Sequence, residues 1–430
     1  MKINKEKMIE KQGYRLHILQ SKKYKTINVV AKFKSALQRE LMTKRALLPM
    51  ILQKATSSYP DTRSLQAAME DLYGMVLNSD GTKKGEDHVI SFRMEVANEV
   101  YLNDQTPLLK KALGLFREVL FQPKVVDGGF DPKIVNREKQ TLEQKITSIK
   151  DDKMSYANMR MIDEMCKGEP YSLHVHGYLE DLKKLDEKDL YSYYQSFISN
   201  DLLDVYIIGD LENIDVEALM DEHFRRDSSE VNQDDGNEKQ HIAVSEPKNI
   251  VEHDDLNQGK LHLGFRTHTV FGDEDYFALQ IFNGLFGGFP SSKLFMNVRE
   301  KHSLAYYAAS RFESHKGLLL VFSGVDPKDY EKAKTIILEQ VEAMKKGEFT
   351  DEEVEQTKEQ VTNQLLETMD NAQGLIEVLY HQVLSGKVIE AEDMIEQVRG
   401  VTKEDVIAMA NKIELDTIYF LTSREGGEQE

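Results

Sequence analysis

The sequence predicts an α+β protein built from two similar domains. Three observations carry that reading. At 430 residues the chain is too long for one ordinary core. A polar, acidic stretch at 228–241, SSEVNQDDGNEKQH, divides it into halves of similar length. Strand-like and helix-like segments then follow the same order in both halves, which is the pattern of a largely antiparallel sheet with helices on one face.

The helices repeat most clearly. FDPKIVNREKQTLEQKI begins at Phe130 and FTDEEVEQTKEQVTNQL at Phe349. Aligned, Val135 meets Val354, Lys139 meets Lys358, Leu142 meets Val361 and Ile146 meets Leu365, so the apolar positions share one helix face. Asp131-Pro132 and Thr350-Asp351, with Glu353 following, are start signals for these helices. The ends of the halves also match. Helices opening at Glu187 and Lys403 run into LDVYIIGD and DTIYFLTS, both read as buried strands. TINVVAKF (26–33) and KLHLGFRT (260–267) are read as opening strands. Each is followed by a helix, then Tyr59-Pro60 or Phe289-Pro290, then another helix. HVISFRMEV (88–96) and GLLLVFSGV (317–325) mark strand pairs beyond those helices. The expected domains are 1–227 and 245–430, joined by an acidic linker at 228–244.

Composition narrows the function. The formal net charge of -19 repels nucleic acid and anionic lipid, so neither is expected as a partner. The N-terminus is polar, no apolar run reaches membrane-spanning length, and the single cysteine, Cys166, has no internal partner. A cytoplasmic location is expected.

Further segments carry a family resemblance: GEPYSLHVHGYLEDLKKLDEKDL, IIGDLE at 207–212, and LFGGFPSSKLFMNVREKHSLAYYAAS at 285–310. In order and spacing, over most of the chain, they resemble the M16 peptidases: pitrilysin, insulinase and the mitochondrial processing peptidase subunits. More narrowly, the chain is similar to non-catalytic bacterial members of that family. The resemblance implies two homologous domains of the LuxS/processing-peptidase metallohydrolase fold.

It also implies chemistry that this chain has lost. Members hold zinc with H-x-x-E-H on the first long helix, whose glutamate is the general base, and with a later glutamate. The matching segment here is KRALLPMILQKAT (44–56). Arg45 and Pro49 stand at the histidine positions, Leu48 at the general base, and Lys145 where the later glutamate belongs. Arginine and an ammonium offer donors, and leucine and proline side chains offer no lone pair at all. Pro49 is expected to kink the helix or delay its start. Glu138 matches the family's other glutamate, and Glu143 lies on a different face. No two of the 12 histidines stand four apart around a glutamate. No catalytic residue, metal ligand or cofactor is therefore expected on this chain, and zinc is expected only in a partner.

Other candidates have plainer readings. His174 and His176 would share a strand face but lack a third ligand. His262 and His268 read as exposed or hydrogen-bonded strand residues. Ser291-Ser292-Lys293 reads as helix capping, and GLFGG (284–288) as a tight turn. Arg299 and Tyr306 keep the family's seven-residue spacing, and the resemblance implies that they contact substrate. The expected function is a non-catalytic subunit that pairs with an H-x-x-E-H paralogue, or with itself, and helps bind or position peptide. The alternatives are a purely structural subunit and a zinc peptidase with atypical ligands.

Overall fold

The computed structural model describes residues 6–102, 107–227, 244 and 246–423. Apart from Val244, the expected linker at 228–244 lies outside the described residues. The rest divides into two compact units, one within Met1–Ser148 and Leu173–Gly236, the other within Ile149–Ser172 and Asn237–Glu430.

In chain order the first half gives β1 (Lys7–Lys11), β2 (Tyr14–Gln20), β3 (Thr26–Ala36), α1 (Met42–Leu52) and α2 (Thr62–Asp71). Then come β4 (Val76–Lys84), β5 (Asp87–Ala97), α3 (Leu108–Phe121), the short hairpin β6 (Val125–Val126) and β7 (Gly129–Phe130), and α4 (Pro132–Ser148). The helices α5 (Lys153–Met165), α6 (Leu179–Lys184) and α7 (Glu187–Asn200) precede β8 (Leu202–Gly209) and α8 (Val216–Phe224). The first unit's sheet has the order β1-β2-β8-β3-β5-β4. Only the β2–β8 pair in it is parallel. Alternate residues of β3, Ile27, Val29, Ala31 and Phe33, enter one core with Leu47, Leu48 and Ile51 of α1.

The second half gives β9 (Lys248–His253), β10 (Gly259–Arg266), α9 (Tyr276–Asn283), β11 (Ala305–Glu313) and β12 (Leu318–Val325). It continues through α10 (Tyr330–Lys345), α11 (Asp351–Asp370), α12 (Ala372–Ser385), α13 (Ala391–Gly400), α14 (Lys403–Lys412) and β13 (Glu414–Thr422). The sheet order is β11-β12-β10-β13-β9, with only β13–β9 parallel. Thr350 caps α11 in a capping box with Glu353, as those residues predict.

The second unit departs from the expectation of helices on one face. Leu261, Leu263 and Phe265 of β10 pack with α9, α10 and α14. The opposite face of the same sheet, with Leu318, Leu320, Phe322, Tyr419 and Leu421, packs on Ala157, Met161 and Met165 of α5. Gly264 permits the approach, since a Cβ there would lie 2.5 Å from Met165 Sδ. Charge pairs fasten the same segment: Arg160 of α5 to Glu252 at 2.6 Å, and Glu169, just beyond the helix, to Arg266 and Lys316, both at 2.7 Å. The segment 149–172 thus packs with the second unit, although it precedes the linker. A fragment of residues 245–430 is expected to expose this apolar face and bind a hydrophobic dye. A fragment that also carries 149–172 is expected to bind much less, and equal dye binding would contradict this packing.

Candidate functional site

The helix that should carry the metal motif is α1. It begins at Met42 and continues through Pro49 to Leu52, so the proline does not delay its start. Leu48 is fully buried in the core, and the Pro49 ring is buried too.

Arg45, at the first histidine position, is only 1% exposed and reaches into the interior of the unit. Its Nε–H donates to His88 Nδ1 at 2.7 Å. One terminal nitrogen donates to Tyr193 Oη at 3.0 Å and to Asp201 Oδ2 at 2.6 Å. The other donates to the carbonyls of His88 at 3.0 Å and Phe33 at 3.4 Å. All five donors of the guanidinium are spent. Burial opposes this cation most strongly, but Asp201 and Tyr193 more than offset it and keep it protonated. The cation ties α1 to β3, β5, α7 and the start of β8.

Lys145 lies exposed in the last turn of α4, and Glu143 is also exposed. Glu138 is buried, with Lys54 at 3.8 Å and Arg137 at 3.5 Å. One carboxylate flanked by cations does not fit a zinc site, and neither do a saturated guanidinium and two hydrocarbon side chains. Among the described residues no group of three or more His, Cys, Asp or Glu could hold a metal ion.

The structure places the remaining candidates apart from one another. His174 and His176 lie in a loop rather than a strand, and the His174 ring stacks on Tyr178 at 5.1 Å. His268 donates to or accepts from Glu414 at 3.1 Å, as a satisfied histidine should. His262 departs from its expected reading. It is fully buried on β10 with neither ring nitrogen partnered, and desolvation, aided by Lys260 and Arg311, pushes its pKa down to about 3. The serine reading also needs correction. Ser292 is buried and its hydroxyl has no partner, so it caps nothing. Lys293 donates to the Glu348 carbonyl at 2.5 Å instead of meeting a serine. GLFGG is no tight turn but a π-helical continuation of α9. Glycine is required there, because a Cβ at Gly284 or Gly287 would come within 2.5 Å of Thr357 or Ser310.

Arg299 sits on a second π-helical segment, Phe295–Lys301, with its guanidinium over the Phe295 ring at 4.6 Å. Its side chain is 44% exposed, and Glu300 is its ion-pair neighbour at 3.7 Å. Tyr306 lies on the edge strand β11 and is 75% exposed, so it does not pack into the sheet. Such π segments recur at functional sites.

Two α+β units, the first with a zinc-peptidase helix emptied of ligands, define an inactive metallopeptidase homologue. Comparisons agree. The family described as Peptidase M16 inactive domain matches residues 184–361. "Probable inactive metalloprotease YmfF" of Bacillus subtilis is 47% identical over 414 residues, covering 96% of this chain and 97% of that protein. A conserved protein from Enterococcus faecalis has a solved structure with a TM-score of 0.90 and 30% identity, covering 98% and 100% of the two chains. The peptidase M16 inactive domain from Pseudomonas fluorescens shares the fold, with a TM-score of 0.77 at 17% identity over 98% of each chain. The chain belongs to the M16 peptidase family. No helix among the described residues is long and apolar enough to cross a membrane.

Proposed function

We propose that this chain is the non-catalytic member of a pair. Its partner is an M16 paralogue that carries H-x-x-E-H and the zinc, and this chain helps hold the peptide. One observation supports the reading above others. Three of the four metal positions, Arg45, Leu48 and Pro49, are committed to internal packing, whereas Arg299 and Tyr306 stand exposed on the second unit. A guanidinium and a phenol can donate to a peptide carbonyl or to a developing oxyanion. The setting is the cytoplasm, and the ligand is a peptide rather than nucleic acid or lipid, in keeping with the net charge of -19.

The test is reconstitution with the zinc-bearing paralogue of the same organism. The mixture is expected to elute as a heterodimer and to cleave peptide. Arg299→Ala and Tyr306→Ala are each expected to lower kcat/KM about tenfold without moving Tm. A chain that stays monomeric in the mixture contradicts the pairing. Unchanged kcat/KM contradicts the substrate contact and leaves a scaffold.

A further inference from the structure

Beneath α5 lies a buried titratable group that peptide binding does not use. His262 sits on β10, opposite Phe322 of β12 and Tyr419 of β13. Both neighbours pack on Ala157, Met161 and Met165 of α5. Gly264, two residues along the same face, lies under Met165 and Met161. The His262 ring is fully buried, Phe322 meets it edge-on at 5.1 Å, and neither ring nitrogen has a hydrogen-bond partner. The sheet's other face is closed separately by α9, α10 and α14. The helix α5 is therefore the lid over this ring.

Around the ring the charges are set against a proton. Lys260 on β10 and Arg311 on β11 are the two that act on it, and both are cations. Tyr307 on β11 and Tyr419 on β13 stay neutral, because loss of water raises both hydroxyls. On β12 no residue carries a charge. On β9, Glu252 already accepts from Arg160 of α5 at 2.6 Å, Tyr419 at 3.0 Å and Tyr156 of α5 at 3.4 Å. Elsewhere on α5, Lys153 pairs with Asp254 at 2.9 Å, and Arg160 also holds Asp163 and Glu164 at 2.9 and 3.0 Å. Past the helix, Glu169 holds Arg266 and Lys316, and Glu313 lies 4.0 Å from Arg311. Asp152, before the helix, acts on Lys260 and Tyr307.

We propose that His262 makes α5 an acid-released latch: on taking a proton the ring reaches water by lifting the segment 149–172 from the sheet, while the unit's main core stays packed. The direction follows from linkage. Loss of water, then Lys260 and Arg311, push the buried ring down to about 3, whereas a ring in water binds its proton near 6.5. The opened form therefore gains about tenfold per pH unit below 6.5, and the latch is closed above it. The carboxylate pairs that fasten the same segment hold through the first part of that window. Loss of water would raise Glu169 and Glu252, but Arg266 and Arg160 keep both below the ordinary range, and Lys153 lowers Asp254. All three stay charged down to about pH 5. The latch needs no partner and is independent of the pairing under Proposed function.

Hydrogen exchange of the full chain, followed by mass spectrometry and corrected for the intrinsic rate at each pH, reads the opening. Between about pH 7.5 and about pH 5 the opening constant of amides in α5 is expected to rise about 30-fold. Amides of α10 and α14 are expected to change less than about threefold. Cys166, the single cysteine, is buried in the same cluster and gives a second readout. Its labelling by dithiodipyridine, relative to free glutathione at the same pH, should rise in parallel. His262→Leu and His262→Gln should each cut both rises to less than about threefold, and either variant suffices if the other folds poorly. No rise in α5, an equal rise in α10 and α14, or a rise that survives loss of the imidazole overturns the latch.

Discussion

Replacing Arg45 with methionine is expected to cost about 3–5 kcal/mol of folding free energy. The loss comes mainly from what is left behind. Asp201, itself buried and with its pKa already raised by loss of water, would lose the guanidinium at 2.6 Å that offsets that cost, and His88 Nδ1 and the Tyr193 hydroxyl would lose a donor. Breaking one side of a buried pair is far costlier than removing both. Arg45→Met combined with Asp201→Asn is therefore expected to recover more than half of the loss. Urea unfolding followed by circular dichroism measures both. A single variant within about 1 kcal/mol of the parent would show that Arg45 is not a structural tie.

Acid is expected to unfold the chain earlier than its carboxylates alone would dictate. His88 and His262 are buried and neutral, and both have folded-state pKa values below the ordinary 6.5. In the unfolded chain each binds a proton near 6.5, so below that pH the unfolded state holds more protons than the folded one. Stability is thus whole above 6.5 and falls as pH drops. For His262 the fall continues to about pH 3. Each such histidine removes about 1.4 kcal/mol per pH unit inside its window. His262 has Phe322 edge-on at 5.1 Å and Lys260 and Arg311 as its charged neighbours, so nothing there welcomes a third cation. His262→Leu is expected to flatten the slope between pH 6 and 4 by about one proton. An unchanged slope would mean that the ring finds a counter-charge.

What could be read from sequence was local or repeated. The paired helices α4 and α11, the capping box at Thr350 and the closing strands β8 and β13 each rest on residues within one element or its twin. The loss of the metal ligands was equally legible, because H-x-x-E-H occupies five consecutive positions and Arg45, Leu48 and Pro49 stand in them. What Arg45 does instead was not legible. Its partners at 88, 193 and 201 lie 43 to 156 residues away, and none has a distinctive neighbourhood. Docking of α5 on the second sheet was hidden for the same reason. Its Ala157, Met161 and Met165 read as an ordinary apolar face without naming the surface they cover. Strands β1, β2 and β9 are short or half-buried, and only pairing gives them away. The misread GLFGG shows a limit of glycine signals. Gly284 and Gly287 are there because Thr357 and Ser310 crowd them, not because the chain turns.

The most direct test of the account is a count of zinc. The full-length chain, incubated with excess zinc and freed of unbound ion by gel filtration, is analysed by mass spectrometry of the element. Fewer than about 0.1 zinc per chain is predicted, because the four positions offer donors and hydrocarbon instead of lone pairs. About one zinc per chain, retained through the column and lost on substituting Glu138 or His88, would contradict it.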